Sequence, residues 1–236
     1  VRNVIKTFSF SRLGDFEKCQ LLAKLKYIDK IPEPERKLRA GQSEHANDRG
    51  SRIHDAAEQY VRNPDAGLIP ELKQFTTEFE QLKELFQAGK VILEQEWAID
   101  KDWQPTAWNS ETTWCRAKLD AFIRVSETEG VAIDYKTGKR YGNEVKHGEQ
   151  LQFYQLLSFL RYPELQKIDV QLWYLDLGET HSMQFTREQG MRFFKNFNDR
   201  GLAMTTATEF PPNPNKFSCR WCLYGPKGSG HCTVGV

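Results

Sequence analysis

The sequence predicts a mixed α/β (α+β) protein: a small mixed β-sheet flanked by helices, with a helical N-terminal part and a cysteine-rich tail. Three observations predict it. Apolar residues recur at helical spacing through the first ninety positions, the period shortens to that of strands from about residue 91, and three of the five cysteines fall in the last eighteen residues. Residues 11–28 form the first expected helix, with Leu13, Leu21, Leu22, Leu25 and Ile28 in its apolar positions and Ser9 or Ser11 as N-cap; Pro32 and Pro34 end it. A second spans 44–61, with Ile53, Ala56, Ala57 and Tyr60 on one face, and stops at Asn63-Pro64-Asp65. A third spans 70–88 and carries Leu72, Phe75, Phe79, Leu82 and Phe86.

Strands are expected at 91–99, 114–125 and 130–135, the last two joined by the polar turn 126–129. A helix over 149–160, closed by Tyr162-Pro163, leads to strands at 170–177 and 180–185 around a turn at Gly178. One more helix over 187–205 runs into Phe210-Pro211-Pro212-Asn213-Pro214, a stiff extended connector to the tail. A chain of 236 residues is long enough for one sizeable core. The expected organisation is a single domain over 1–236, made of a helical part (1–90), a mixed core (91–206) and a cysteine-rich tail (207–236).

Composition narrows the classes of function. Lys and Arg total 33 against 32 Asp and Glu, so any nucleic-acid surface has to be a local patch. No apolar run approaches the roughly twenty residues of a membrane span, and no signal-peptide pattern opens the chain, which gives the expectation of a soluble, cytoplasmic (intracellular) protein with no membrane partner. An odd number of cysteines crowded at one end suits a metal or cluster better than a disulfide framework.

The chemistry concentrates in Val131-Ala132-Ile133-Asp134-Tyr135-Lys136. Three apolar residues and the turn signal Thr137-Gly138-Lys139 place Asp134 and Lys136 at a strand end, and alternation points both to one side with Tyr135 opposite. Asp120 ends a similar segment fourteen residues earlier. Two carboxylates and one ammonium suffice to hold a divalent cation against a phosphodiester and to activate a water beside it; the plainer reading is an ion pair on a strand face. His54 lies one turn past Gly50, which permits close backbone approach, and Gln150 and Tyr154 share a helix face at i, i+4. Glu96 offers a further carboxylate or an ordinary ion pair. In the tail, Cys219-x2-Cys222 and Cys232 leave a tetrahedral site one ligand short, with Cys19 or His231 as the fourth; His231 would favour zinc. Cys115, beside Trp114, reads as core.

On these residues the chain resembles the PD-(D/E)XK nuclease superfamily and, within it, the RecB-like exonucleases that include the CRISPR-associated iron-sulfur nucleases and the AddB nuclease domain. The matching elements, in order, are Ser9-Phe10-Ser11-Arg12-Leu13 leading to Cys19, Gly50-x3-His54, Asp120, Asp134-Tyr135-Lys136, Gln150-x3-Tyr154 and Cys219-x2-Cys222-x9-Cys232. The resemblance implies a restriction-endonuclease-like core. It also implies Mg²⁺ or Mn²⁺ held by His54, Asp120, Asp134 and the Tyr135 carbonyl, with Lys136 serving the attacking water and Gln150 and Tyr154 orienting the strand and the lysine. Cys19, Cys219, Cys222 and Cys232 would hold a structural [4Fe-4S] cluster, with Zn²⁺ as the alternative. The implied activity is that of a DNA exonuclease on single-stranded DNA or DNA ends, of phage or CRISPR type, with a helicase or recombination partner; the alternative is a catalytically inactive DNA-end-binding or scaffold subunit. Ala117 stands where such proteins often carry glycine, Gln20 where proline is common, and 225–230 lengthen the last cysteine spacing. Trp103, Trp108 and Tyr141, in the 103–113 connector and the Lys139-Arg140-Tyr141 segment, are the expected strand contacts.

Overall fold

Helix α1 (Phe10–Lys18) starts where the sequence says it should: the Ser9 hydroxyl accepts from the Arg12 amide at 3.4 Å, and Phe10, Leu13 and Phe16 are buried. In the computed structural model, which describes residues 4–35, 38 and 41–236, the helix expected over 11–28 is nevertheless broken. Cys19 is extended (φ −165°, ψ 117°), after which α2 (Gln20–Ala23) resumes and widens into a π-helical turn, Lys24–Ile28. The break is stabilised from outside the helix: the Asn213 side chain donates to the Lys18 carbonyl at 3.1 Å and its amide lies 3.4 Å from Cys19 Sγ. Next come α3 (Ala46–Arg62) and, after a 3₁₀ turn Pro70–Phe75, α4 (Thr76–Gln87).

Among the described residues the sheet has six strands in the order β2-β1-β3-β4-β5-β6: β1 (Val91–Ile99), β2 (Pro105–Thr106), β3 (Cys115–Arg124), β4 (Glu129–Lys136), β5 (Lys167–Tyr174) and β6 (Glu179–Thr186). Only β4 and β5 are parallel, joined by α5 (Glu144–Arg161) as crossover. Helix α5 begins five residues before the expected start, because its polar first turns carry no apolar period to betray them. The single helix expected over 187–205 is two, α6 (Arg187–Met191) and α7 (Phe194–Thr206), the first opened by a capping box between Thr186 and Gln189. A short α8 (Lys216–Cys219) lies in the tail. Helices α1, α5 and α7 pack one face of the sheet around Trp97, Phe122, Phe153, Phe159 and Leu172. Helices α3 and α4 pack the other around Ile53, Phe79, Tyr135 and Trp173. Among the described residues no helix is long and apolar enough to cross a membrane.

Two irregularities in this sheet position the site. Strands β3 and β4 pair only over 121–124 and 130–133, then separate. Farther along, the freed edge of β3 is taken by the N-terminal segment: Phe8 forms a parallel bridge to Cys115, with its amide 2.8 Å from the Trp114 carbonyl and its carbonyl 2.9 Å from the Arg116 amide. Helix α7 seats the Phe8 ring at Gly201, where any Cβ would come within 2.6 Å of it. The second irregularity is a change of parity. Val91 and Leu93 belong to the α3/α4 core but Trp97 and Ile99 to the opposite one, and β3 switches likewise between Leu119 and Ala121. Glu94 makes the turn in β1 with φ +51°, a left-handed conformation rare in a strand.

Candidate active site

The fork between β3 and β4 collects the polar side chains. Past the last rung the Tyr135 amide has no strand partner on that side, and Asp120 Oδ2 accepts from it at 2.5 Å. The other Asp120 oxygen lies 2.9 Å from His54 Nδ1. Helix α3 can bring His54 this close because Gly50, one turn earlier, faces the loop after β4; a Cβ there would already stand 3.2 Å from Thr137 Oγ1. From α5, Tyr154 donates to Asp134 Oδ1 at 2.9 Å, while Gln150 Nε2 donates to the Tyr154 hydroxyl at 2.7 Å. Lys136 Nζ stands 2.5 Å from Asp134 Oδ2, an oxygen that otherwise accepts no aligned hydrogen bond. Tyr135 turns to the opposite face, against His54, Phe79 and Trp173.

Asp120 and Asp134 are 7% and 6% exposed, so two carboxylates share a nearly dry site. Burial pushes the Asp120 carboxyl upward and the Asp134 charge adds to this, against the hydrogen bonds from His54 and the Tyr135 amide. Burial opposes a charged His54 ring, yet its hydrogen bond to Asp120 and the charges of Asp120 and Asp134 outweigh that, and its pKa is raised. Burial raises the Tyr154 hydroxyl well above its ordinary value, so it remains a donor to Asp134 at neutral pH. Asp120 and Asp134 thus set two carboxylates side by side in a buried site, a repulsion that a divalent cation between them would relieve.

The structure thus brings together His54, Asp120, Asp134, Lys136, Gln150 and Tyr154, and it adds Glu94. Ligand atoms of His54, Glu94 and Asp120 lie within 4.8 Å of one another, and Glu94 forms an ion pair with Lys118. Burial raises the Glu94 carboxyl despite that lysine. Glu96, the acid singled out in β1, is exposed and takes no part in this group. Trp103 is also misplaced as a strand contact: it is buried against Phe8, Trp114 and Phe194 because its connector folds back onto α7, where its indole donates to Asn198 at 3.0 Å. Trp108 does line the cleft at the fork, under the Arg116 guanidinium, and Tyr141 is 72% exposed. Arg140 is tied to Glu179 at 2.6 Å.

The cysteines form a separate group. Cys19, Cys219, Cys222 and Cys232 line one apolar cavity between α2 and the tail, whereas Cys115 is fully buried in the core. The Asn215 amide lies 3.4 Å from Cys219 Sγ, and the backbone donors Val236 and Asn215 hold the Cys219 thiol below its usual range. His231, the competing ligand, does not line that cavity; its Nδ1 is 2.7 Å from the Ser229 hydroxyl.

The chain belongs to the PD-(D/E)XK nuclease superfamily, whose family model matches residues 7–226. Its fold therefore implies a nucleic-acid substrate. Among solved structures, SSO0001 is similar at 15% identity (TM-score 0.43), over 98% of this chain and 88% of that one. A "Putative exonuclease" from Eubacterium rectale is similar at 12% identity (TM-score 0.49), over 98% and 90%. The alkaline exonuclease LHK-Exo from Laribacter hongkongensis is similar at 12% identity (TM-score 0.34), over 86% and 88%. No curated protein sequence matches the chain.

Proposed function

We propose that the protein is a Mg²⁺- or Mn²⁺-dependent deoxyribonuclease, an exonuclease acting on single-stranded DNA or DNA ends, folded as one nuclease unit. The observation that carries this reading is the convergence of His54, Asp120, Asp134 and Lys136 at a strand fork that opens into a cleft. The donor set fits a hard divalent cation: two buried carboxylates, one with an oxygen lacking an aligned donor, and an imidazole. His54, Asp120, Asp134 and the Tyr135 carbonyl would hold it, with Glu94 near enough to join. When bound, the cation supplies Lewis-acid polarisation of the phosphoryl oxygen and a lowered pKa for the attacking water. Lys136, as an ammonium, would position that water and stabilise the negative charge that builds on its oxygen as the proton passes to solvent. Tyr154 and Gln150 keep Asp134 fixed, so the site does not reorganise as charge builds on phosphorus. Trp108 offers a stacking face for an unpaired base.

The four cysteines are assigned to a [4Fe-4S] cluster that staples α2 to the tail. Thiolate-only ligands, an apolar cavity and amide donors to sulfur support this. Two measurements test the proposal. Purified protein with Mn²⁺ or Mg²⁺ should shorten 5′-labelled and 3′-labelled strands progressively from one end; strands bound but left uncut would hand the site to the DNA-end-binding alternative. Anaerobically purified protein should show visible charge-transfer absorption, and a colourless protein with stoichiometric zinc removes the cluster.

A further inference from the structure

The cleft at the fork extends beyond the metal-binding group, along β3 toward the N-terminal segment. Arg116 and Lys118 share one side of β3, and Arg116 lies four residues along the strand from Asp120, about 13 Å at roughly 3.3 Å per residue. Arg12 reaches the same cleft from α1. Among the described residues neither guanidinium pairs with a carboxylate, unlike Lys118 and Lys136 beside them. Both are held in place by neutral groups. Arg12 Nη1 donates to the Thr7 carbonyl at 3.0 Å and to its hydroxyl at 2.6 Å, and the guanidinium lies over the Tyr27 ring at 4.9 Å. Arg116 Nη2 donates to the Trp108 carbonyl at 2.7 Å and lies 4.9 Å from the centre of that ring. Arg116 Nε is buried and has no acceptor at all.

We propose that Arg12 and Arg116 form a phosphate-binding subsite for the nucleic-acid strand, distinct from the reaction centre, an inference that rests on the nuclease reading above. Two adjacent cations without counter-ions, one with a buried donor lacking an acceptor, are costly unless an anion completes them. Burial, with a smaller contribution from the Arg116 charge, pushes the Arg12 guanidinium downward against the Tyr27 hydroxyl. A guanidinium presents its remaining donors as a planar fork that matches two phosphoryl oxygens. The Trp108 ring beside Arg116 supplies an apolar face for the attached base. The subsite would anchor the strand at one phosphate while another is presented at Asp134 and Lys136. That phosphate is either an internal diester or the terminal monoester of a strand end.

The test is strand binding in Ca²⁺ by fluorescence anisotropy over a range of salt, with cleavage in Mn²⁺ measured alongside. The ligands are a circular single strand and linear strands carrying a 5′-phosphate, a 3′-phosphate or neither. Arg116→Gln should weaken binding roughly tenfold or more and lower the salt slope by about 0.7 for each phosphate that is no longer neutralised. Arg12→Gln should act in the same direction, Arg116→Lys should keep the slope, and Lys195→Gln, on the solvent-facing side of α7, should change neither. Equal loss on circular and linear strands identifies an internal diester, and loss confined to one phosphorylated end identifies the terminal monoester. Unchanged affinity and slope in Arg116→Gln, with wild-type cleavage intact, overturns the subsite and leaves the nuclease standing. Arg116-dependent binding without cleavage does the reverse, and a wild-type protein that neither binds nor cuts overturns both.

Discussion

The strand fork and the cysteine cavity are both polar groups assembled from distant segments, but they are held by opposite means. At the fork every side chain sits on a long regular element, and most satisfy one another: His54 with Asp120, Asp120 with the Tyr135 amide, Tyr154 with Asp134. The sheet and two helices would keep that geometry without a ligand. The cysteine cavity is lined by shorter pieces, chiefly α2 with its π-helical turn and the four residues of α8, and backbone amides of the tail reach its sulfurs, Asn213 to Cys19 and Asn215 to Cys219. One region is therefore a frame of long elements whose side chains satisfy one another; in the other, the proposed cluster would supply the cross-link between short ones.

The strongest way to break this contrast is to remove a sulfur. Cys222→Ser should lose visible absorption and most soluble yield, with any folded remainder melting more than about 10 °C lower, since a structural metal site contributes folding free energy directly. Cleavage by that remainder should stay within a few-fold of wild type. Asp134→Ala should do the opposite, lowering cleavage by more than about a thousandfold while absorption holds and unfolding changes by no more than about 1–3 kcal/mol for the acceptor that Tyr154 loses. Full metal-dependent activity in that variant would end the active-site model.

Asp120→Ala sharpens the comparison inside the fork. It should abolish cleavage and also cost about 1–3 kcal/mol in denaturant unfolding, because the buried Tyr135 amide loses its acceptor. Tyr154→Phe removes one hydrogen bond to Asp134 and leaves the packing, so turnover should fall by about ten- to a hundredfold with little change in KM. At the small end, Lys195→Ala breaks only an exposed i, i+4 pair on α7 and should move stability by less than about 0.5 kcal/mol.

Much of this was legible in the residues. The run Val131 to Lys136 announced a strand end with Asp134 and Lys136 on one side, and the i, i+4 spacing of Gln150 and Tyr154 put both on the face that meets it. The helical first part and the order of strands followed from periodicity. Glu94 was hidden because period-2 reasoning assumes a strand that keeps its parity, and β1 changes parity at that residue; Glu96 was singled out instead. Trp103 misled because an aromatic in a connector looks free until the connector is known to fold back. The break at Cys19 was equally invisible, since its cause lies at Asn213, nearly two hundred residues away.

The bridge between Phe8 and Cys115 joins segments far apart in the chain. During synthesis the N-terminal segment emerges first, yet its edge partner on β3 follows more than a hundred residues later, and the ring's seat on α7 at Gly201 and the Asn213 hydrogen bond to α1 later still. Pairings of such long sequence separation are slow to form. That wall of the cleft is thus closed by contacts spanning most of the chain, and a segment truncated before α7 would have the sheet without the seat that holds Phe8.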